Sequence, residues 1–86
     1  MIIKKKAWPE MFETILSGKK RFDLRLDNFE CNEGDTLVFE EWNPETKEYT
    51  GRKIEKKVSY VMKTKDLKFW SKEDIDKFGF QVISLE

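Results

Sequence analysis

The 86-residue chain has no histidine and a single cysteine, Cys31. The first absence removes every Ser-His or Cys-His nucleophile pair, together with the imidazoles on which many zinc sites depend. The second rules out an intrachain disulfide and fits a reducing cytoplasm. Purely apolar runs are only a few residues long, too short to span a membrane. The opening "MIIKKKAW" has no apolar stretch of signal-peptide length behind its lysines. P-loop and dinucleotide glycine patterns are missing too, and no two carboxylates stand at a convincing catalytic spacing. The sequence therefore implies no metal, no cofactor and no membrane partner. Net charge is zero, so the field of the whole chain does not announce nucleic acid.

What is present favours one ordered domain over residues 1–86. Hydrophobic residues make up 38% and aromatics 14%, richer than a disordered chain despite 40% charge. The charge is unevenly placed. Residues 1–26 hold seven basic against three acidic residues, and 27–48 hold one against eight. Residues 49–70 return to seven against two, and 71–86 hold two against four. Two basic blocks thus flank an acidic one. If folding joins them, the molecule gains one anion-attracting face; the plainer reading is that they solvate a small protein.

Ile2 to Ala7 reads as a strand of β-formers and lysines. Pro9 then starts a helix to Ser17, with Phe12, Ile15 and Leu16 at helical spacing and Gly18 as its cap. Arg21 to Leu26 alternates strictly, with Phe22, Leu24 and Leu26 opposite Arg21, Asp23 and Arg25, the pattern of a half-buried strand. "TLVFEEW" is apolar on both faces and so central, and "NPETKEYTG" is a hairpin loop. Arg52 to Met62 reads as a long strand facing in with Ile54, Val58, Tyr60 and Met62, Lys56 being the exception on that face. Ser71 and Asp74 open a second helix that Gly79 ends. "FQVISL" closes as a strand. The expected class is α+β, mostly β: a small barrel of about five strands with two short helices.

Candidate site residues cluster after the first helix. Arg21, Asp23 and Arg25 on one strand face would stand about 7 Å apart, with Asp23 orienting both guanidinium groups towards a phosphate or carboxylate. A cross-strand charge ladder is the plainer account. Lys19 and Lys20 are helix-end cations, or ligand-reaching groups if a cleft opens there. Glu40 and Glu41 sit late in an apolar strand; one facing inward would need Lys20 or Arg25 as partner. Trp8, Trp42 and Trp70 lie at junctions and could stack bases, or simply pack. Lys4, Lys5 and Lys6 protect a sheet edge. Cys31, beside Glu30 and Glu33, has a disfavoured thiolate.

Together, "WPEMFETILSGKKRFDLR", "CNEGDTLVFEEWNPETKEYTGRKIEKKVSYV" and the final "GFQVISLE" resemble the ASCH-like domain of unknown function, of the PUA-like superfamily. The resemblance spans nearly the whole chain except residues 63–77. It implies a small β-barrel and a cleft beside the first helix that takes RNA or modified nucleosides. The matching positions are Gly18, Lys20, Asp23, Arg25, Glu40, Glu41 and Trp42. Some relatives are amidohydrolases acting on N4-acetylcytidine with a lysine at the position of Lys20; the threonine they use three residues later is Asp23 here.

The leading expectation is an RNA- or nucleotide-binding domain. Lys20 and Arg25 would contact anionic groups, Asp23 would orient Arg25 or accept from a base edge, and Trp8 or Trp42 would supply a stacking face, with Lys19, Arg21 and Glu40 as further ligand-binding candidates. An amidohydrolase of acylated nucleosides would use Lys20 with Asp23 nearby. A third reading is a protein-interaction module with no small ligand, consistent with zero net charge.

Overall fold

The computed structural model describes residues 1–85. Its elements, in order, are β1 (Ile2–Ala7), α1 (Pro9–Leu16), β2 (Thr36–Asn43), β3 (Glu48–Lys57), a single 3-10 turn (Thr64–Asp66) and α2 (Lys72–Phe78). The strands form one open sheet in the order β1-β2-β3. β1 runs parallel to β2, from Ile2 opposite Thr36 to Ala7 opposite Glu41. A parallel pair cannot be joined by a tight turn, so residues 8–35 cross over the sheet and carry α1 onto one face.

Proline starts α1 at little cost because its missing N–H would have no partner there. Phe12 and Ile15, three residues apart, point to the same side of the helix. They are buried with Ala7 of β1 and Phe39 of β2, and Leu37 and Ile54 pack around them. This cluster is the core. Leu37, Phe39 and Glu41 alternate with Val38, Glu40 and Trp42, so the second set faces away from α1.

β2 and β3 form a hairpin closed by an Asx-type turn. Asn43 Oδ1 accepts from the Glu45 amide at 2.9 Å, and the Asn43 carbonyl accepts from Lys47 N–H at 2.7 Å. Their antiparallel register runs Thr36–Lys57 to Glu40–Lys53, then shifts to pair Trp42 with Tyr49. That irregularity directs Thr50 and Arg52 towards the buried Glu41. Thr50 Oγ1 donates to Glu41 Oε1 at 2.7 Å, and Arg52 Nη1 lies 3.6 Å from Oε2. The same guanidinium donates to Glu13 at 2.7 Å and stacks 4.8 Å from the Phe12 ring centroid. The Glu13 bond holds the Arg52 pKa above its ordinary value.

Asp35 anchors the entry to β2. Its carboxylate accepts from the Asn32 amide at 2.9 Å and from the Met1 ammonium at 3.1 Å. The Asn32 bond, then the ammonium, lower its pKa. At the far end, Ser71 caps α2 by accepting from the Asp74 amide at 3.1 Å, and Gly79 leaves the helix at φ 66°.

The five-strand barrel is overturned. Three strands make an open sheet with β1 and β3 as its edges, whereas a barrel needs every edge paired. The expected strand at 21–26 forms no ladder, since the flank of β1 is met by a side chain. Arg25 Nη2 donates to the Lys6 carbonyl at 3.0 Å, and Leu24 and Leu26 stay exposed. The long strand Arg52–Met62 is displaced: β3 begins earlier, at Glu48, and ends at Lys57. Val58 still exchanges bonds with Gly34 and Asp35, both 2.8 Å, but β2 begins at Thr36, so residues beyond Val58 run out of partner. Tyr60 and Met62 are accordingly exposed rather than inward. "FQVISL" is irregular as well, touching residue 21 through a 3.3 Å bond from the Arg21 amide to Ser84 Oγ. The radius of gyration, 14.8 Å, exceeds the roughly 12 Å usual for this length because these segments lie outside the α1–sheet core.

Phe12 is 1% exposed and central to the core. Phe12→Ala should lower the free energy of unfolding by about 3–5 kcal/mol, read from urea denaturation; a loss under about 1 kcal/mol would contradict the packing. For Asp35 the folded pKa lies below the unfolded one, so its contribution is complete above about pH 4 and fades as pH falls further. The melting-temperature gap between the wild type and Asp35→Asn should therefore be widest near neutrality and close towards pH 2.

Candidate functional site

A cleft of about 700 Å³ opens beside the C-terminal end of α1, within the usual range for small-molecule sites. Its floor is apolar: Ile15, Leu37 and Phe39 extend the core surface into it. One wall is residues 20–27 and the other residues 56–64. Gly18 makes the first wall possible. At φ 81° it turns the chain back from α1 in a backbone region that side chains disfavour, and its amide donates to the Ile15 carbonyl at 3.1 Å. Phe29 continues that wall and is held to β1 by the Lys5 ammonium, 3.4 Å from its ring centroid.

Six cations line the cleft: Lys20, Arg21, Arg25, Lys56, Lys57 and Lys63. Its acidic lining residues, Asp23 and Asp27, are each engaged. Arg25 Nε donates to Asp23 Oδ2 at 2.7 Å, and Lys63 Nζ donates to Asp27 Oδ1 at 3.0 Å. The second pair ties one wall to the other. The basic blocks of the sequence thus meet at one opening, with an excess of positive charge.

Lys20 is half-buried; its ammonium donates to the Met11 sulfur at 3.7 Å and lies 5.2 Å from the Phe22 ring centroid. Arg21 turns its Nε to the Gly18 carbonyl at 3.3 Å, so Asp23 orients Arg25 but not Arg21. Lys19 is exposed and outside the lining. Glu40 and Trp42 lie on the opposite face of the sheet: Glu40 is 3.9 Å from Lys53, and Trp42 lies beneath the Lys6 ammonium at 4.0 Å. Glu41 is the inward carboxylate, but Thr50 and Arg52 serve it in place of Lys20 or Arg25. Trp8 is an exposed residue preceding α1 and is absent from the cleft lining.

Sequence reasoning missed the second wall. Lys56 stands out in the sequence only as the exception on the inward face of the long strand, and Lys57 and Lys63 only as part of a basic block, because that strand reading puts Val58, Tyr60 and Met62 in a barrel interior. Cys31 also lines the cleft. Burial, then the Asp35 carboxylate, push its thiol pKa up; the acid that matters is Asp35, not the adjacent Glu30 and Glu33. Among the described residues no group of histidine, cysteine and acidic side chains could hold a metal ion, and no helix is long and apolar enough to cross a membrane.

Comparison with known proteins places this chain in a family. Residues 3–73 match the family described as a domain of unknown function, DUF3850. The chain belongs to DUF3850. It is also similar to an uncharacterised 12.9 kDa protein in the GpA 3' region of Escherichia phage P2, at 35% identity over 65 residues. That alignment covers 76% of this chain and 55% of the phage protein, so the chain spans about half the length of the curated relative it matches. No solved structure matches it significantly. The DUF3850 match takes in β1, α1, both cleft walls and the sheet.

The raised thiol pKa has a direct readout in this DUF3850 domain. Alkylation of Cys31 by iodoacetamide should accelerate only above the ordinary thiol range of about pH 8.5. Asp35→Asn should move the inflection down; an inflection below pH 8 in the wild type would contradict the burial and charge described.

Proposed function

We propose that the cleft binds a nucleotide or a short stretch of single-stranded RNA, phosphate against its cations and base against its apolar floor. One observation carries this reading: a volume fit for a small ligand combines six cations with an apolar floor, while both lining carboxylates are in ion pairs. A phosphate brought here meets donors from both walls and no unpaired lining carboxylate. Phe22, Phe29 and Tyr60 supply aromatic faces at the same opening. An ASCH-like, PUA-like ancestry, as the motifs suggest, would agree with this placement beside the first helix.

Hydrolysis of an acylated nucleoside receives less support. It would make Lys20 the base or nucleophile, yet the Lys20 ammonium rests on a sulfur and over the Phe22 ring, and Asp23 is committed to Arg25. Neither lining acid stands ready to relay a proton. The geometry favours holding an anion over breaking an amide.

An NMR titration of labelled protein with UMP, AMP and N4-acetylcytidine tests both readings. Binding should shift amides in 18–25 and 56–63, and Lys56→Ala and Arg25→Ala should each weaken nucleotide affinity about tenfold, the worth of one charge-assisted bond. Affinity should fall as salt rises. Shifts confined to other residues, or salt-independent binding, would overturn the proposal. Cytidine and acetate growing in with N4-acetylcytidine would put hydrolysis first.

A further inference from the structure

The face of the sheet turned away from α1 carries a second arrangement that the cleft does not use. Trp42 of β2 and Tyr49 of β3 are directly opposed across the hairpin. Tyr49 is 56% exposed. The Lys6 ammonium lies 4.0 Å from the Trp42 ring centroid and 6.0 Å from that of Tyr49, which places all three on one face. Lys4 shares that face, two residues away on the same edge strand, and Lys53 borders it with its charge turned to Glu40. On the neighbouring edge, Arg25, which also lines the cleft, reaches the Lys6 carbonyl at 3.0 Å. A line of cations therefore leads from the cleft mouth, past Arg25 and the edge of β1, to a paired aromatic surface.

We propose that this face is a stacking platform for single-stranded nucleic acid, receiving the nucleotides that follow the one held in the cleft. The inference rests on the cleft reading and extends it from a mononucleotide to a strand several nucleotides long. Complementarity is the argument for this occupant. Bases need flat π faces and phosphates need cations, and here the two alternate along one path. The Lys6 ammonium now covers Trp42. A cation over an exposed ring is worth about a two- to fivefold shift in equilibrium, and a stacked base about five- to a hundredfold. A base therefore displaces Lys6, which is then released towards the adjoining phosphate. Glu40 is occupied by Lys53 and does not oppose the strand.

Fluorescence anisotropy of end-labelled U10 and dT10, alongside NMR titration with UMP, gives the test. Wild type should bind both decamers more tightly than UMP. Tyr49→Leu keeps an apolar side chain on the hairpin but removes the π face, and melting should show it folded. It should weaken decamer binding at least fivefold and leave UMP unchanged. Lys6→Gln should lower the slope of log K against log salt by about 0.7 for the decamers. Equal decamer affinity in Tyr49→Leu and wild type would overturn the platform while leaving the cleft intact. Loss of UMP-induced shifts in the wild type would instead strike the cleft reading. Failure of both decamers to bind more tightly than UMP would likewise overturn the platform. A ten-residue glutamate peptide that matched U10 would show charge attraction alone and also overturn the proposal.

Discussion

Everything in this molecule hangs on the contact between Phe12 and Ile15 of α1 and Phe39 and Ala7 of the sheet. An eight-residue helix does not persist alone in water, and a three-stranded open sheet needs one face covered. Each supplies the surface that the other lacks. Once α1 is fixed, the chain that leaves it at Gly18 has to emerge over the sheet, and the cleft is the space between that chain and the segment following β3. The site is a geometric consequence of the core.

The same constraint explains the buried carboxylate. Glu41 sits where the core meets the bulged end of the hairpin, and a lone carboxylate there would cost several kcal/mol. Thr50 and Arg52 meet it because the register shift brings them round. Arg52 then serves three groups, with Glu13, Glu41 and the Phe12 ring arranged around one guanidinium. Its planar fork suits this better than a lysine would. Helix, core and hairpin are joined at that residue, which leaves the cleft cations free of the task.

How far this was legible varies by element, for physical reasons. β1, α1, the β2–β3 hairpin and α2 are each specified by local signals: a proline at a helix start, helical spacing of Phe12 and Ile15, an Asn-Pro turn, a serine cap at Ser71. Such signals act within a few residues. The strand expected at 21–26 alternates strictly and the one at 80–85 is rich in β-formers, but such patterns only say which side chains would share a face or favour an extended chain. They do not say that an edge is available to pair with, and β1 and β3 take no third neighbour. The site was half legible in the same way. Lys20, Asp23 and Arg25 follow a helix end that the sequence marks plainly, whereas Lys56, Lys57 and Lys63 face them only because the chain leaving β3 runs on past Thr36, where β2 begins. Glu40, Glu41 and Trp42 show the limit most sharply: one register position decides which of three adjacent residues faces the core.

Zero net charge is the last constraint to reconcile with an anion site. A uniformly basic protein attracts nucleic acid everywhere and gains little specificity of place. Here four of the eight acidic residues of 27–48 are taken up in ion pairs: Asp27 by Lys63, Asp35 by the Met1 ammonium, Glu40 by Lys53, Glu41 by Arg52. What they neutralise is mostly outside the cleft floor, so the positive excess survives at the opening and along β1. Screening confines such a field to about 8 Å at physiological salt. A neutral molecule with a local basic track attracts an anionic ligand only when it is already close, and shape and stacking then decide what stays.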